Sequence, residues 1–151
     1  MTFRSRNLFL YWLPAFAWAA LVLFFSSGTF GAAQSAHILR PFLEWLFGAL
    51  SEARYTLVQL LVRKSAHLFV YAALSALWFR AQRGPRSGWR SNWALLALLV
   101  SLLVALGDEF HQGFVPARTA SPWDVLLDGF GALLAQAVIA RRARRKSHSP
   151  A

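Results

Sequence analysis

Hydrophobic positions along this chain fall into four long blocks separated by short polar intervals. The first, "LFLYWLPAFAWAALVLFFSS" (Leu8 to Ser27), carries no charge over 20 residues. At ~1.5 Å of helical rise per residue, that length crosses the ~30 Å hydrocarbon core of a bilayer. The second block runs from about Thr56 to Phe79, the third from Trp93 to about Phe110, and the fourth from Trp123 to Ala140. Pro14 in the first is tolerable, because neighbouring helices can satisfy the carbonyl it frees. Between the first two blocks, "SAHILRPFLEWLFGALSEA" (Ser35 to Ala53) is too short and too punctuated to cross. Its Ile38, Leu39, Phe42, Trp45, Leu46, Ala49 and Leu50 recur at helical spacing, predicting an amphipathic helix lying in the interface. "RAQRGPRSGWRSN" reads as a polar loop, with Gly-Pro and Ser-Gly turn signals. The pattern predicts an all-α fold: an integral membrane four-helix bundle with an extra amphipathic interfacial helix between the first and second spans. Residues 1–140 form the membrane domain and 141–151 a basic tail.

Composition supports that class. The 151 residues suit one domain, and 57% hydrophobic content with seven Trp lies far from soluble averages. Arg4 and Arg6 resemble the start of a signal peptide, but the apolar run exceeds the usual ~7–15 residues and three further spans follow. An uncleaved helix is therefore expected. A net charge of +10 raises nucleic acid as a partner. The basic residues alternate with apolar runs rather than lining one soluble face, so no nucleic-acid binding is expected. With no Cys there is no disulfide or thiol chemistry. Eleven of the sixteen Lys and Arg sit in the N-terminal tail, the loop after the second span, or "RRARRK" at 141–146. The positive-inside rule then places both termini in the cytoplasm and all six acidic residues toward the outer side.

Four of those six acids lie in one stretch, "GDEFHQGFVPARTASPWDVLLDG" (107–129). Counted up each helix at ~1.5 Å per residue, Lys64 stands about 24 Å above Arg80 and His67 about 20 Å; Asp108 stands about 22 Å above Trp93. By the same rise, Asp124 and Asp128 stand about 25 and 20 Å above Arg141. Three separate helices thus bring ionisable groups to one level. Lys64, His67 and Tyr71 share a helical face, as do Asp108 with His111 and Gln112, and Asp124 with Asp128. Ionisable groups at that depth are costly unless they turn inward and pair, which makes them functional candidates.

The residues "KSAHLFVYAALSAL" and "LGDEFHQGFVPARTASPWDVLLDGFGALL" resemble the VanZ-like family of small membrane proteins, named after a teicoplanin-resistance protein. The K-x-x-H-x-x-x-Y pattern falls on Lys64, His67 and Tyr71. The D-E-x-x-Q…R…D…G pattern falls on Asp108, Glu109, Gln112, Arg118, Asp124 and Gly131. The resemblance covers most of residues 8–140. It implies a bacterial cytoplasmic-membrane protein of the cell envelope, associated with glycopeptide resistance, and no settled reaction.

Chemically, Lys64 and Arg118 suit a phosphate or carboxylate on an envelope lipid or lipid-linked glycan, with Tyr71, Gln112, Asp124 and Asp128 completing a ligand site. Glu109 is the candidate proton acceptor, His67 its acid–base partner, and Asp108 the second carboxylate of the pair. Asp108, Glu109 and His111 offer metal ligands without His-Glu-x-x-His spacing, so no metal and no cofactor are expected. Neither a Gly-rich phosphate loop nor a Gly-x-Ser-x-Gly elbow occurs. Ser65 and Ser121 read as cap or packing residues, and Gly129 and Gly131 as points of close helix approach. Three classes fit: a membrane-embedded enzyme or lipid-binding resistance factor, a structural polar clamp, and a proton-coupled small transporter. The last is weakest, because only Ser75, Ser101 and Gln136 continue the polar path toward the cytoplasm.

Overall fold

The computed structural model describes the backbone of residues 3–26, 32–114 and 121–147. Five helices follow in order: α1 (Phe3–Ser26), α2 (Ala32–Phe47), α3 (Glu52–Arg83), α4 (Ser91–Gln112) and α5 (Pro122–Ser147). The described residues contain no strand. Glu52–Arg83, Ser91–Gln112 and Pro122–Arg145 are long and apolar enough to cross a membrane, and Phe9–Phe25 of α1 is a shorter apolar stretch.

The buried faces of α4 and α5 are rich in small and polar residues, and the surface is greasy. On α4, Ala94, Ala97, Ser101, Ala105, Asp108 and Gln112 are buried at steps of three or four residues. Leu95, Leu99, Leu103, Leu106 and Phe110 point outward. On α5 the buried line is Asp128, Ala132 and Gln136, while Leu126, Phe130 and Leu133 are exposed. This inversion suits a helix surrounded by hydrocarbon. Lipid is as apolar as leucine, so small residues that let backbones approach, and polar groups that bond across, hold the helices together.

The α3 helix is central, packing on α5 most extensively and also on α4 and α1. α1 docks through aromatic edges: Trp12 and Phe16 meet Trp78 with ring centroids 5.5 and 5.2 Å apart. Trp18 Nε1 donates to the Val70 carbonyl at 3.0 Å. The helix runs through Pro14 without interruption.

Several boundaries differ from the pattern-based expectation. The amphipathic helix stops at Phe47 rather than reaching Ala53, because Gly48 takes φ +76°, where an L side chain is strained. The second span correspondingly begins at Glu52, four residues before Thr56, and runs on to Arg83. Arg40 bridges the break, bonding Glu44 at 3.0 Å and Glu52 at 2.7 Å while lying over the Tyr55 ring. These bonds hold its guanidinium above the ordinary value, Glu44 contributing most. At the other end of the chain, α5 continues as helix through Arg141–Arg145. Of the face expected to meet the interface, Phe42, Trp45 and Leu46 are exposed, and the neighbouring Leu43 is the buried contact.

Candidate functional site

The polar groups gather at the end of the bundle where α3 begins, α4 ends and α5 begins. Asp124 lies in the first turn of α5, behind Pro122, a residue preorganised for a helix start. Its amide donates to the Ser121 carbonyl at 2.8 Å, so Ser121 closes the first turn by its backbone. One carboxylate oxygen of Asp124 is bonded to Lys64 Nζ. The other faces Arg63 Nη2 at 3.5 Å. The carboxylate is only 2% exposed, whereas the Lys64 and Arg63 side chains are 36% and 40% exposed. The buried member of the ion pair is the acid, and the reachable members are the cations.

One turn further along, His67 Nδ1 lies 3.0 Å from Asp128 Oδ1. This corrects the expected pairing of His67 with Glu109: the imidazole meets α5 rather than α4. α3 and α5 are forced together here by Gly131. A Cβ at that position would collide with the Leu68 carbonyl oxygen and lie 3.1 Å from its carbon. A Cβ at Gly129 would meet only the flexible end of Leu102, at 3.0 Å. Tyr71 reaches the other way, its hydroxyl donating to Asp108 Oδ2 at 3.3 Å. Thus α3 presents its polar face to both partners, Lys64 and His67 to α5 and Tyr71 to α4.

Glu109 accepts the Ser121 amide at Oε2, at 2.7 Å. It therefore ties the end of α4 to the start of α5. Gln112 is fully buried. His111, expected to share a face with Asp108, is exposed and outside the cluster. Ser65 is exposed as well. Arg118, the second expected cation, lies outside the described residues. Arg63, which the sequence reading passed over, supplies a described cation instead. Its adjacency to Lys64 was the available signal, since the two can straddle one carboxylate from neighbouring positions on a helix.

Several buried polar atoms have no hydrogen-bond partner among the described residues: Asp108 Oδ1, Glu109 Oε1, Asp128 Oδ2, and both amide atoms of Gln112. Asp108 and Gln112 border a cavity of about 310 Å³ between α1, α3 and α4. His67 and Tyr71 complete its polar side, and Trp18 and Val22 of α1 line its apolar side. No sequence pattern marked this wall, because α1 lies far away in the chain and carries no polar signature there. Deeper in the bundle, Gln136 Nε2 donates to Ser75 Oγ at 2.8 Å and to its carbonyl at 3.1 Å. Among the described residues, no group of three or more His, Asp or Glu is placed to hold a metal ion.

A family model described as VanZ/LLP1 matches residues 11–142. No curated protein and no solved structure matches the chain.

Proposed function

The chain belongs to the VanZ/LLP1 family, and we propose that it is a multi-pass protein of the bacterial cytoplasmic membrane with an outward-facing site for an anionic envelope lipid or lipid-linked precursor. In this reading α1 is a fourth span, and both termini and the 84–90 turn face the cytoplasm. The eleven-to-five bias of Lys and Arg supports that orientation. Association with glycopeptide resistance of the teicoplanin type, suggested by the resemblance, is part of the proposal.

One observation carries the reading: Asp124 is buried, while Lys64 and Arg63 remain partly open around it. A buried acid under accessible cations holds the empty site together and orients positive charge toward an incoming phosphate or carboxylate. Tyr71, Gln112 and Asp128 are assigned to the floor, and Arg118 stays a candidate ligand on the sequence pattern alone. Glu109, His67 and Asp108 are the groups able to move a proton if a bond is broken. His67 with Asp128 is the better-oriented pair for that task. The structural clamp is the second reading, favoured by three side-chain bonds that all join different helices.

Lipids retained by the purified wild-type protein and by a Lys64→Gln, Arg63→Gln double variant discriminate the two. Each is reconstituted in vesicles of phosphatidylcholine with phosphatidylglycerol as the anionic probe. Retention of phosphatidylglycerol by the wild type, lost in the variant while it stays folded, is the expected result, with a lower melting temperature in the variant because Asp124 is left buried without its cations. Equal retention by both removes the headgroup site. A fall in melting temperature with no retained anionic lipid in either protein identifies the clamp.

A further inference from the structure

The cavity between α1, α3 and α4 has a chemistry of its own. None of Arg63, Lys64 or Asp124 borders it, but His67, Tyr71, Asp108 and Gln112 do, so it deepens the site proposed above and rests on that placement of its floor while leaving the headgroup cations outside. Its α1 side is apolar. Trp18 contributes ring surface only, since its one donor is already spent on the Val70 carbonyl. Leu21 and Phe25, at its rim, are 47% and 49% exposed, so the cavity reaches the greasy surface of the bundle. Its volume of about 310 Å³ sits at the small end of ligand sites, enough for one chain segment rather than a two-chain lipid.

The polar side sets what the chain must carry. Tyr71 occupies one oxygen of Asp108, and Oδ1 is left over at a residue 4% exposed. Gln112, at 0% exposure, has Nε2 and Oε1 both unbonded. The site thus offers two acceptors and a donor in surroundings where leaving a bond unmade is costly. Phosphate is a poor occupant, because it would meet the Asp108 carboxylate, and the one basic side chain on the lining, His67, already faces Asp128. An ammonium group would serve the acceptors but leave the Gln112 donor unsatisfied, and would be desolvated by the α1 wall. A hydroxyl both donates and accepts.

The geometry points to this cavity as a binding site for a neutral, hydroxyl-bearing, single-chain amphiphile, with its hydroxyl end on Asp108 and Gln112 and its chain along α1. Such a molecule enters sideways from the hydrocarbon, between Leu21 and Phe25. Glycerol monoethers and monoesters, and other neutral single-chain lipids with a free hydroxyl, share this chemistry.

The test uses the full-length protein in phosphatidylcholine nanodiscs. The probe is hexadecylglycerol bearing a diazirine in its chain, and the control is the same molecule with both hydroxyls methylated. Irradiation should label α1 around Trp18–Val22 and α3 around Val70. Methylation should reduce labelling about tenfold, the equivalent of one good hydrogen bond. Gln112→Leu, which removes both amide atoms at similar volume, should reduce it by a similar factor. It should also raise the melting temperature of the probe-free protein, because unbonded polar atoms leave the interior. Val22→Trp should block labelling while leaving the hydroxyl end intact, and Lys64→Gln should leave labelling unchanged. Equal labelling by the two probes on the wild-type protein overturns the proposal without recourse to any variant. So does full labelling of Gln112→Leu, or labelling confined to the outer faces of α4 and α5.

Discussion

The two ends of the bundle are held by different forces. Beside the 84–90 turn, Phe79, Trp93, Ala94 and Ala97 form a dry core, with Phe79 and Trp93 edge to face at a centroid distance of 6.0 Å. Arg86 and Arg90 lie over the Trp93 ring at 5.5 and 5.0 Å, closing that core with cations at the membrane edge. At the opposite end, α3 and α4 meet through Tyr71 and Asp108, and α5 joins through Asp124 and Asp128. The first end is organised by shape, and its substitutions should cost packing energy alone. The second is organised by charge and, among the described residues, leaves carboxylate oxygens of Asp108, Glu109 and Asp128 buried and unbonded, whereas the unbonded buried atoms near the first are nitrogens of Gln82, Arg83 and Trp89. Unbonded carboxylate oxygens are the costlier kind to bury, which makes this end the place to test for a ligand.

The largest effect should come from the point where the two regimes join. Gly131→Ala drives a methyl group into the Leu68 backbone, which cannot rotate away, and should destabilise the protein by about 3 kcal/mol. Thermal unfolding in detergent measures this. Gly107→Ala, with open space around the added carbon, should change stability in the opposite direction by about 0.5–1 kcal/mol. Equal effects at the two glycines would mean that close approach of α3 and α5 does not position the polar end.

Next in size is the His67–Asp128 contact. Asp128→Leu should cost about 2 kcal/mol by leaving the imidazole without its partner. Adding His67→Phe should restore roughly half of that loss, and the cycle of four proteins reads the coupling directly. Additive losses would show that the two side chains do not depend on each other.

Gln136→Leu, midway between the ends, removes two bonds to Ser75 and should cost about 1 kcal/mol, in line with interhelical polar contacts in membranes. It should leave lipid retention untouched, separating stability from binding. The smallest effect is expected at Arg40→Ala. Its ion pairs are exposed, so the unfolding midpoint should barely move, and the small difference from the wild type should shrink as salt is added. A larger loss would mean that α2 is part of the bundle rather than an attachment to α3.

Much of this was legible in the linear chain. Runs of Leu, Val and Phe whose length matches a bilayer declare spanning helices, since nothing else satisfies a backbone in hydrocarbon. Carboxylates are so costly there that Asp108, Glu109, Asp124 and Asp128 announced a shared site before any contact was known. Helical rise even brought them to one depth. Which acid meets which base was not legible: pairing depends on the rotation of each helix about its axis, and a period of 3.6 residues defines a face without saying what it opposes. Only packing turned His67 to Asp128 instead of Glu109, and gave Lys64 and Arg63 the same carboxylate. The cavity belongs wholly to that level. Its apolar wall comes from α1 and its polar floor from α3 and α4, segments whose nearness is set by Trp18 on Val70 and by Trp12 and Phe16 on Trp78. Local sequence determines what a helix can bury; the neighbour it buries it against is decided by the whole fold.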